Sequence, residues 1–250
     1  MTTFQIASDL HIEKFNYNSS IEDYIIPSAD NLILAGDIGS LYKIDQLKDF
    51  LLQASKLFYT ILYIPGNHEY YTMYGYQPIT FKALQQRVNN LSNNIKNLYV
   101  INRNSVRFKN TCIIGCTLWS QPTCKVPPYI VRIHKFHTED YINEHQKDLA
   151  YIKYMINYCK KEKFKLIIIT HHPPTLKALI GAKKRKQFQS LYATDLEYLL
   201  DNKHINLWIC GHTHKNINIT SDKGCKIITN QKGKIKDKIK DYSKTFTIEI

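Results

Sequence analysis

Long apolar runs are missing from this chain: no stretch reaches the roughly 18 residues that a membrane-spanning helix requires. A membrane partner or anchor is therefore not expected. The six cysteines (112, 116, 124, 159, 210 and 225) form no C-x-x-C pair, and several sit inside apolar runs as small hydrophobes would, so they read as reduced thiols. From Met1 the chain passes directly into the strand-like Phe4-Gln5-Ile6-Ala7, which leaves no room for a charged leader and an apolar signal region. Together these absences lead us to expect a soluble, intracellular, cytoplasmic protein. There is no Gly-, Ser- or Pro-rich tract and no internal repeat, so residues 1 to 250 are expected to form one domain without a linker or disordered tail.

Acidic residues are also scarce, 21 against 34 Lys and Arg, which gives a formal charge of +13. A basic surface concentrates phosphates, so nucleic acid is admitted as a partner. Much of the excess sits in local runs, KKEKFK at 160 to 165, KKRK at 183 to 186 and KGKIKDKIK at 232 to 240. Such runs read as solvated faces.

What the chain does have is a series of short apolar runs bounded by polar residues or Gly. FQIAS at 4 to 8, NLILAG at 31 to 36, TILYIPG at 60 to 66, TCIIGC at 111 to 116, KLIIIT at 165 to 170 and NLWICG at 206 to 211 predict buried strands. Ile44, Leu47, Phe50, Leu51, Ala54 and Leu57 recur at helical spacing, as do Leu149, Ile152, Met155 and Ile156. Strands alternating with helices predict layered α/β packing. INIT, CKIIT and TFTIEI in the last fifty residues predict a closing antiparallel set. Residues 117 to 137, with Pro122, Pro127 and Pro128, predict a long loop or cap.

Polar clusters follow the predicted strands: Asp9 and His11, Asp37, Asn67 and His68, His171 and His172, and His212 and His214. The carboxyl ends of strands form the ligand crevice of open α/β sheets. A lone His or Asp there is more often a cap or a packing group, but five clusters in matching positions point to one site. Oxygen and nitrogen donors without a cysteine suit Mn, Fe, Co or Zn rather than a structural zinc site. Gly36, Gly66 and Gly211 directly precede Asp37, Asn67 and His212, which allows tight turns and a close backbone approach.

The ordered motifs SDLH at 8 to 11, GDIG at 36 to 39, GNHE at 66 to 69, THHPP at 170 to 174 and GHTH at 211 to 214 resemble the calcineurin-like metallophosphoesterase family. The resemblance implies a four-layer α-β-β-α sandwich with two mixed sheets and a dinuclear metal site at the strand ends. It implies that Asp9, His11 and His214 hold one ion, that Asn67, His171 and His212 hold the other, and that Asp37 bridges both. The cofactors would be two divalent or transition ions, Mn, Fe or Zn. His68 would be the general acid, oriented by Glu69 or another acid, and His172 would stand behind the ligands. The function so implied is hydrolysis of a phosphate monoester or diester by a hydroxide shared between the ions, with His68 protonating the leaving oxygen.

A nuclease or cyclic-nucleotide phosphodiesterase is the alternative among enzymes, and a non-catalytic protein-binding scaffold the alternative outside them. Tyr70, Tyr71, Tyr74 and Tyr76 read as loop packing, with stacking on a nucleobase as the other reading. Trp119, Arg132, His134 and His137 are candidate cap residues. GCTLWS at 115 to 120 resembles a subgroup of small family members, and Asn230-Gln231-Lys232-Gly233 resembles that subgroup's Asn-Pro-Arg-Gly turn without its Pro and Arg.

Overall fold

A computed structural model describes residues 2 to 15, 19 to 181 and 186 to 250. Residues 183 to 185 of the KKRK run lie outside the described residues.

Two mixed sheets stack face to face. The first contains β1 (Thr3–Ala7), β2 (Asn31–Ala35), β3 (Thr60–Ile64) and β4 (Leu98–Val100), all parallel, with β11 (Thr247–Glu249) antiparallel on the outer edge of β1. The second runs in the order β5 (Asn104–Phe108), β6 (Thr111–Cys116), β7 (Lys165–Thr170), β8 (Leu207–Ile209), β10 (Lys226–Ile228) and β9 (Asn218–Thr220). Its two edge strands, β5 and β9, are antiparallel and its inner pairings are parallel.

The inner strands are apolar on both faces because both faces are covered. In β2, Ile33 and Ala35 point into the layer between the sheets, while Leu32 and Leu34 face α1 (Ile44–Leu57) and α2 (Phe81–Asn89). In β7, Ile167 and Ile169 enter the same central layer, while Leu166 and Ile168 face α3 (Thr138–Glu162) through Ile152, Met155 and Cys159. Each fully buried Leu or Ile among them contributes about 1.5–3 kcal/mol. The period-two alternation of apolar residues with apolar residues is what turns two sheets and two helical layers into the expected four-layer sandwich.

The last fifty residues depart from the expected antiparallel set. β9 and β10 form a hairpin, but β10 then lies parallel to β8, and β11 crosses to the other sheet. The crossing is held by Asn230, whose amide donates to the carbonyls of Ile6 and Ser243, both at 2.7 Å. Two strands and a helix carried too weak a pattern to be anticipated. β4 and β5 are short and half-exposed, and α2 buries only Leu84 and Val88. Residues 117 to 137 contain neither helix nor strand, as expected of a loop.

Candidate metal centre

The loops after β1, β2, β3, β7 and β8 meet above one end of the two sheets, and they are stitched to each other before any side chain is considered. The amide of Asp9 donates to the Gly36 carbonyl (3.0 Å), that of His11 to the Asp37 carbonyl (3.0 Å) and that of Gly211 to the His171 carbonyl (2.9 Å). Carboxylates complete the seam: Asp37 accepts from the His68 amide at 2.8 Å, and Asp9 from the His212 amide at 3.1 Å.

Asp9, His11, Asp37, His212 and His214 all adopt left-handed backbone, with φ between 50° and 72°. That conformation costs non-glycine residues about 1–3 kcal/mol each and clusters at functional sites. The glycines serve a separate purpose. A Cβ on Gly36 would collide with the His171 ring, one on Gly66 with the Asp37 carboxylate and one on Gly211 with the Asp9 carboxylate. The Gly-before-donor pattern therefore reflects donors from neighbouring loops packing onto bare backbone.

The seven residues expected as ligands converge in two groups that share Asp37. Donor atoms of Asp9, His11, Asp37 and His214 form one group, and those of Asp37, His171 and His212 form the other. Within the first, His11 Nε2 lies 3.1 Å from His214 Nε2 and 3.8 Å from Asp37 Oδ2, and His214 Nε2 lies 3.3 Å from Asp9 Oδ1. Within the second, His171 Nε2 lies 3.0 Å from Asn67 Oδ1, 3.2 Å from His212 Nδ1 and 3.3 Å from Asp37 Oδ1. Ligands about 2.0–2.1 Å from one ion stand about 2.8–3.4 Å apart at adjacent octahedral or tetrahedral vertices. All these separations but the 3.8 Å one match that spacing.

The outer ring nitrogens strengthen the fit. His171 Nδ1 meets the Ala35 carbonyl at 2.9 Å, His212 Nε2 the Leu191 carbonyl at 3.3 Å, His214 Nδ1 the Asp237 carboxylate at 2.5 Å, and His11 Nδ1 faces Glu13 at 3.4 Å. Carbonyls and carboxylates only accept, so the outer nitrogens of His171, His212 and His214 carry the proton and their inner nitrogens present lone pairs, whereas His11 Nδ1 makes no hydrogen bond among the described residues. Lone pairs and carboxylate oxygens facing one another call for positive charge. The protonation tendencies agree: burial opposes a charge on His171, yet Asp37, its hydrogen bond and Asp9 outweigh burial and push it up to about 9. Burial raises the Asp37 carboxyl, but His171 and His68 prevail and hold it well below the usual carboxylate range.

His172 stands apart from the converging atoms. Its Nδ1 reaches the Thr117 carbonyl at 3.3 Å, its ring packs at a tilt against His212 at 3.9 Å, and burial pushes it down to about 3. His68 lies at the edge of the centre, where its ring packs against His11 (4.7 Å) and Tyr71 (4.6 Å).

Glu69 does not orient His68. Its buried carboxylate instead accepts the amides of Asp37 (3.0 Å), Ile38 (2.7 Å) and Gly66 (2.9 Å) and the Tyr63 hydroxyl (3.1 Å), clamping two loops together. The acid facing the His68 ring is Glu13, 4.0 Å from Nδ1, while the Lys234 ammonium lies 3.1 Å from Nε2.

A cleft of about 390 Å³ opens over the centre, walled by Tyr71, Arg132, Tyr192, His68, Lys234 and Asp237 among others. Of the four tyrosines, Tyr70 is buried in the core and Tyr71 lines the cleft, while Tyr74 and Tyr76 are exposed. Of the cap candidates, Arg132 reaches the cleft. Trp119 is buried among Tyr70, Phe81, Phe136, Tyr141 and His172. His134 lines a different hollow, and His137 precedes α3. Glu13, Lys234 and Asp237 were not anticipated. The last two sit in a basic run that reads as a solvated face, and nothing local distinguishes them. The Asn230–Gly233 turn holds the site from behind: Gln231 accepts the His214 amide at 2.7 Å, and the Lys232 ammonium rests on the Phe15 ring, 4.6 Å from its centre.

The sequence pattern of a family described as calcineurin-like phosphoesterase matches residues 2 to 216. A relative from Acanthamoeba polyphaga mimivirus, itself uncharacterized, is 28% identical over 93% of this chain and 91% of its own length. Among solved structures, the phosphopantetheinyl hydrolase of Mycobacterium tuberculosis superposes with a TM-score of 0.74 at 15% identity, over 94% of this chain and 91% of that one. A dimetal phosphatase of Danio rerio does so at 0.57 and 13% identity, over 91% and 86%. Below 25% identity these likenesses establish the fold alone.

Proposed function

Because the chain belongs to the calcineurin-like phosphoesterase family, and so is a metal-dependent phosphoric ester hydrolase, we propose that it cleaves a phosphate monoester or diester at a centre of two ions, Mn, Fe or Zn. The observation that carries this reading is the sharing of Asp37 between two converging donor groups. Asp9, His11 and His214 would hold one ion, Asn67, His171 and His212 the other, and Asp37 both. When bound, the ions supply Lewis-acid polarisation of the phosphoryl oxygen and acidify the attacking water.

The rest falls to the chain's own side chains. His68, beside the centre but outside both donor groups, holds the proton that the leaving oxygen takes. Glu13 sets the ring's orientation from the Nδ1 side. Lys234, at Nε2, is placed to meet a phosphoryl or leaving-group oxygen. Tyr71 and Tyr192 exclude water from one side of the cleft. We read the chain as one catalytic domain, with residues 117 to 137 as its cap: Arg132 reaches the cleft, and its carbonyl accepts the Thr72 amide at 2.6 Å.

The test is hydrolysis of p-nitrophenyl phosphate and bis(p-nitrophenyl) phosphate with Mn, Fe, Zn or Mg added, with Asp37→Asn as control. Activity that a chelator abolishes and Asp37→Asn loses is expected. Chelator-sensitive activity that survives in Asp37→Asn at the wild-type level would belong to a contaminant and sink the assignment. The charge of +13 favours a nuclease as the second reading. Its mark would be strand binding that weakens steeply with salt.

A further inference from the structure

Adjoining the cleft at His68 lies a second hollow of about 370 Å³. Lys14, Arg132, Lys234 and Lys236 line it together with His11, His68, Phe15 and Ile235, and among the described residues no carboxylate is in its lining. His68, Arg132, Lys234 and Lys236 belong to both cavities, so the two are contiguous across the proposed acid. None of the four cations forms a salt bridge among the described residues, whereas the half-buried Arg103 is paired with both Glu144 and Asp148. The nearest acids are already engaged. Asp237 accepts from His214 and from the Lys234 amide, and the buried Glu13 faces His11 and His68. Lys14, Arg132 and Lys236 are exposed, so their charges are kept without a desolvation cost and remain available to an incoming anion.

Lys14, Arg132 and Lys236 have no carboxylate partner among the described residues, and with the Lys234 ammonium held at His68 Nε2 they make the hollow attractive to an anion. The hollow sits where a leaving group held against His68 would extend. We propose that it is a subsite for a second phosphate, carried on the leaving group, so that the preferred substrate is an ester whose departing alcohol is itself phosphorylated. This rests on the phosphate-ester reading above and narrows it. In the reaction, a water oxygen bonds to phosphorus, the ester P–O bond breaks, and the leaving oxygen takes the proton from His68. Inorganic phosphate and a phosphorylated alcohol are the products. A volume of about 370 Å³ accommodates one phosphate with a short linker, which favours a small bisphosphate over a strand.

The test is binding, by calorimetric titration of the Mn-loaded protein with propane-1,3-diphosphonate and with propylphosphonate, neither of which has an ester bond to cleave. The diphosphonate is expected to bind at least about tenfold more tightly, roughly 1.4 kcal/mol. That ratio should fall in Lys14→Ala and approach unity in the Lys14→Ala/Lys236→Ala double variant. Equal affinities in the wild type, or an unchanged ratio in the double variant, overturn the subsite and leave the phosphate-ester reading standing. Failure of both ligands to bind overturns both. A single-stranded oligonucleotide that binds more tightly than the diphosphonate, through the same lysines, assigns the second phosphate to a neighbouring nucleotide and overturns the small-molecule assignment.

Discussion

The imidazoles of His171, His212 and His214 face the centre with their inner nitrogens because their outer nitrogens are hydrogen-bonded to acceptors, and that makes the acceptors as important as the ligands. Asp237 is the clearest case, 2.5 Å from His214 Nδ1. Asp237→Asn should weaken metal binding by about 10–100-fold, read by metal titration monitored through thermal stability, while Asp241→Asn, an exposed acid nearby, should change nothing. His68 makes the opposite prediction. His68→Ala should bind metal as tightly as wild type and lose about 10²–10⁴ in kcat. The loss should be largest for alkyl esters and smallest for p-nitrophenyl phosphate, whose leaving group needs little protonation. Equal losses on both would argue against His68 as the acid.

At the scale of elements, the long helix α3 supports the site from behind. Asp148, fully buried, receives the Arg103 guanidinium at 2.7 Å and the Trp119 amide at 3.2 Å, and so anchors the start of the 117 to 137 segment. Trp119 in turn packs on His172, which packs against His212. Burial drives the Asp148 carboxyl up to about 6 against the pull of Arg103. A carboxyl raised above its unfolded value stabilises the fold at low pH, and that contribution is lost as pH rises through the folded value. Removing the guanidinium raises the carboxyl further and strands Asp148, while Glu144 keeps the Lys147 ammonium at 2.8 Å. Arg103→Met should therefore cost about 3–5 kcal/mol near pH 8 and clearly less near pH 5, where Asp148 is protonated. Urea unfolding at the two pH values measures the difference. An equal loss at both would mean that Arg103 acts through packing alone.

For the whole molecule, five loops from two sheets converge on one acidic and imidazole-rich point, so ions bound there should bind the folded state and not the unfolded chain. At a free concentration near 100 times Kd, an ion adds about 2.7 kcal/mol, or roughly 5–10 °C in Tm for a chain of this size. Chelation should remove that increment together with activity, and added Mn should restore both. Among the described residues no helix is long and apolar enough to cross a membrane. The layered α/β packing was legible in the chain because β2, β3, β6 and β7 are apolar on both faces, which only a covered sheet requires, while the division into two sheets was implied by the resemblance of the motifs to the family. The gathering of Asp9, His11, Asp37, Asn67, His171, His212 and His214 was legible as well, because donors that follow buried strands are carried to one end of the sheets, with Gly36, Gly66 and Gly211 marking where loops touch. β5 and α2 were not legible, since elements that bury a single face weakly leave little periodic signal. Nor were Glu13, Lys234 and Asp237, whose neighbours in sequence are solvent-facing and whose importance comes from partners as far away as His68 and His214. The sequence by itself determined which atoms could bind a cation, since that depends on residue type and on the strand each one follows. Only the tertiary structure decided which acid faces His68, which base lies on its other nitrogen and where unpaired cations gather. Those are relations between segments far apart in the chain, fixed by packing rather than by any local pattern.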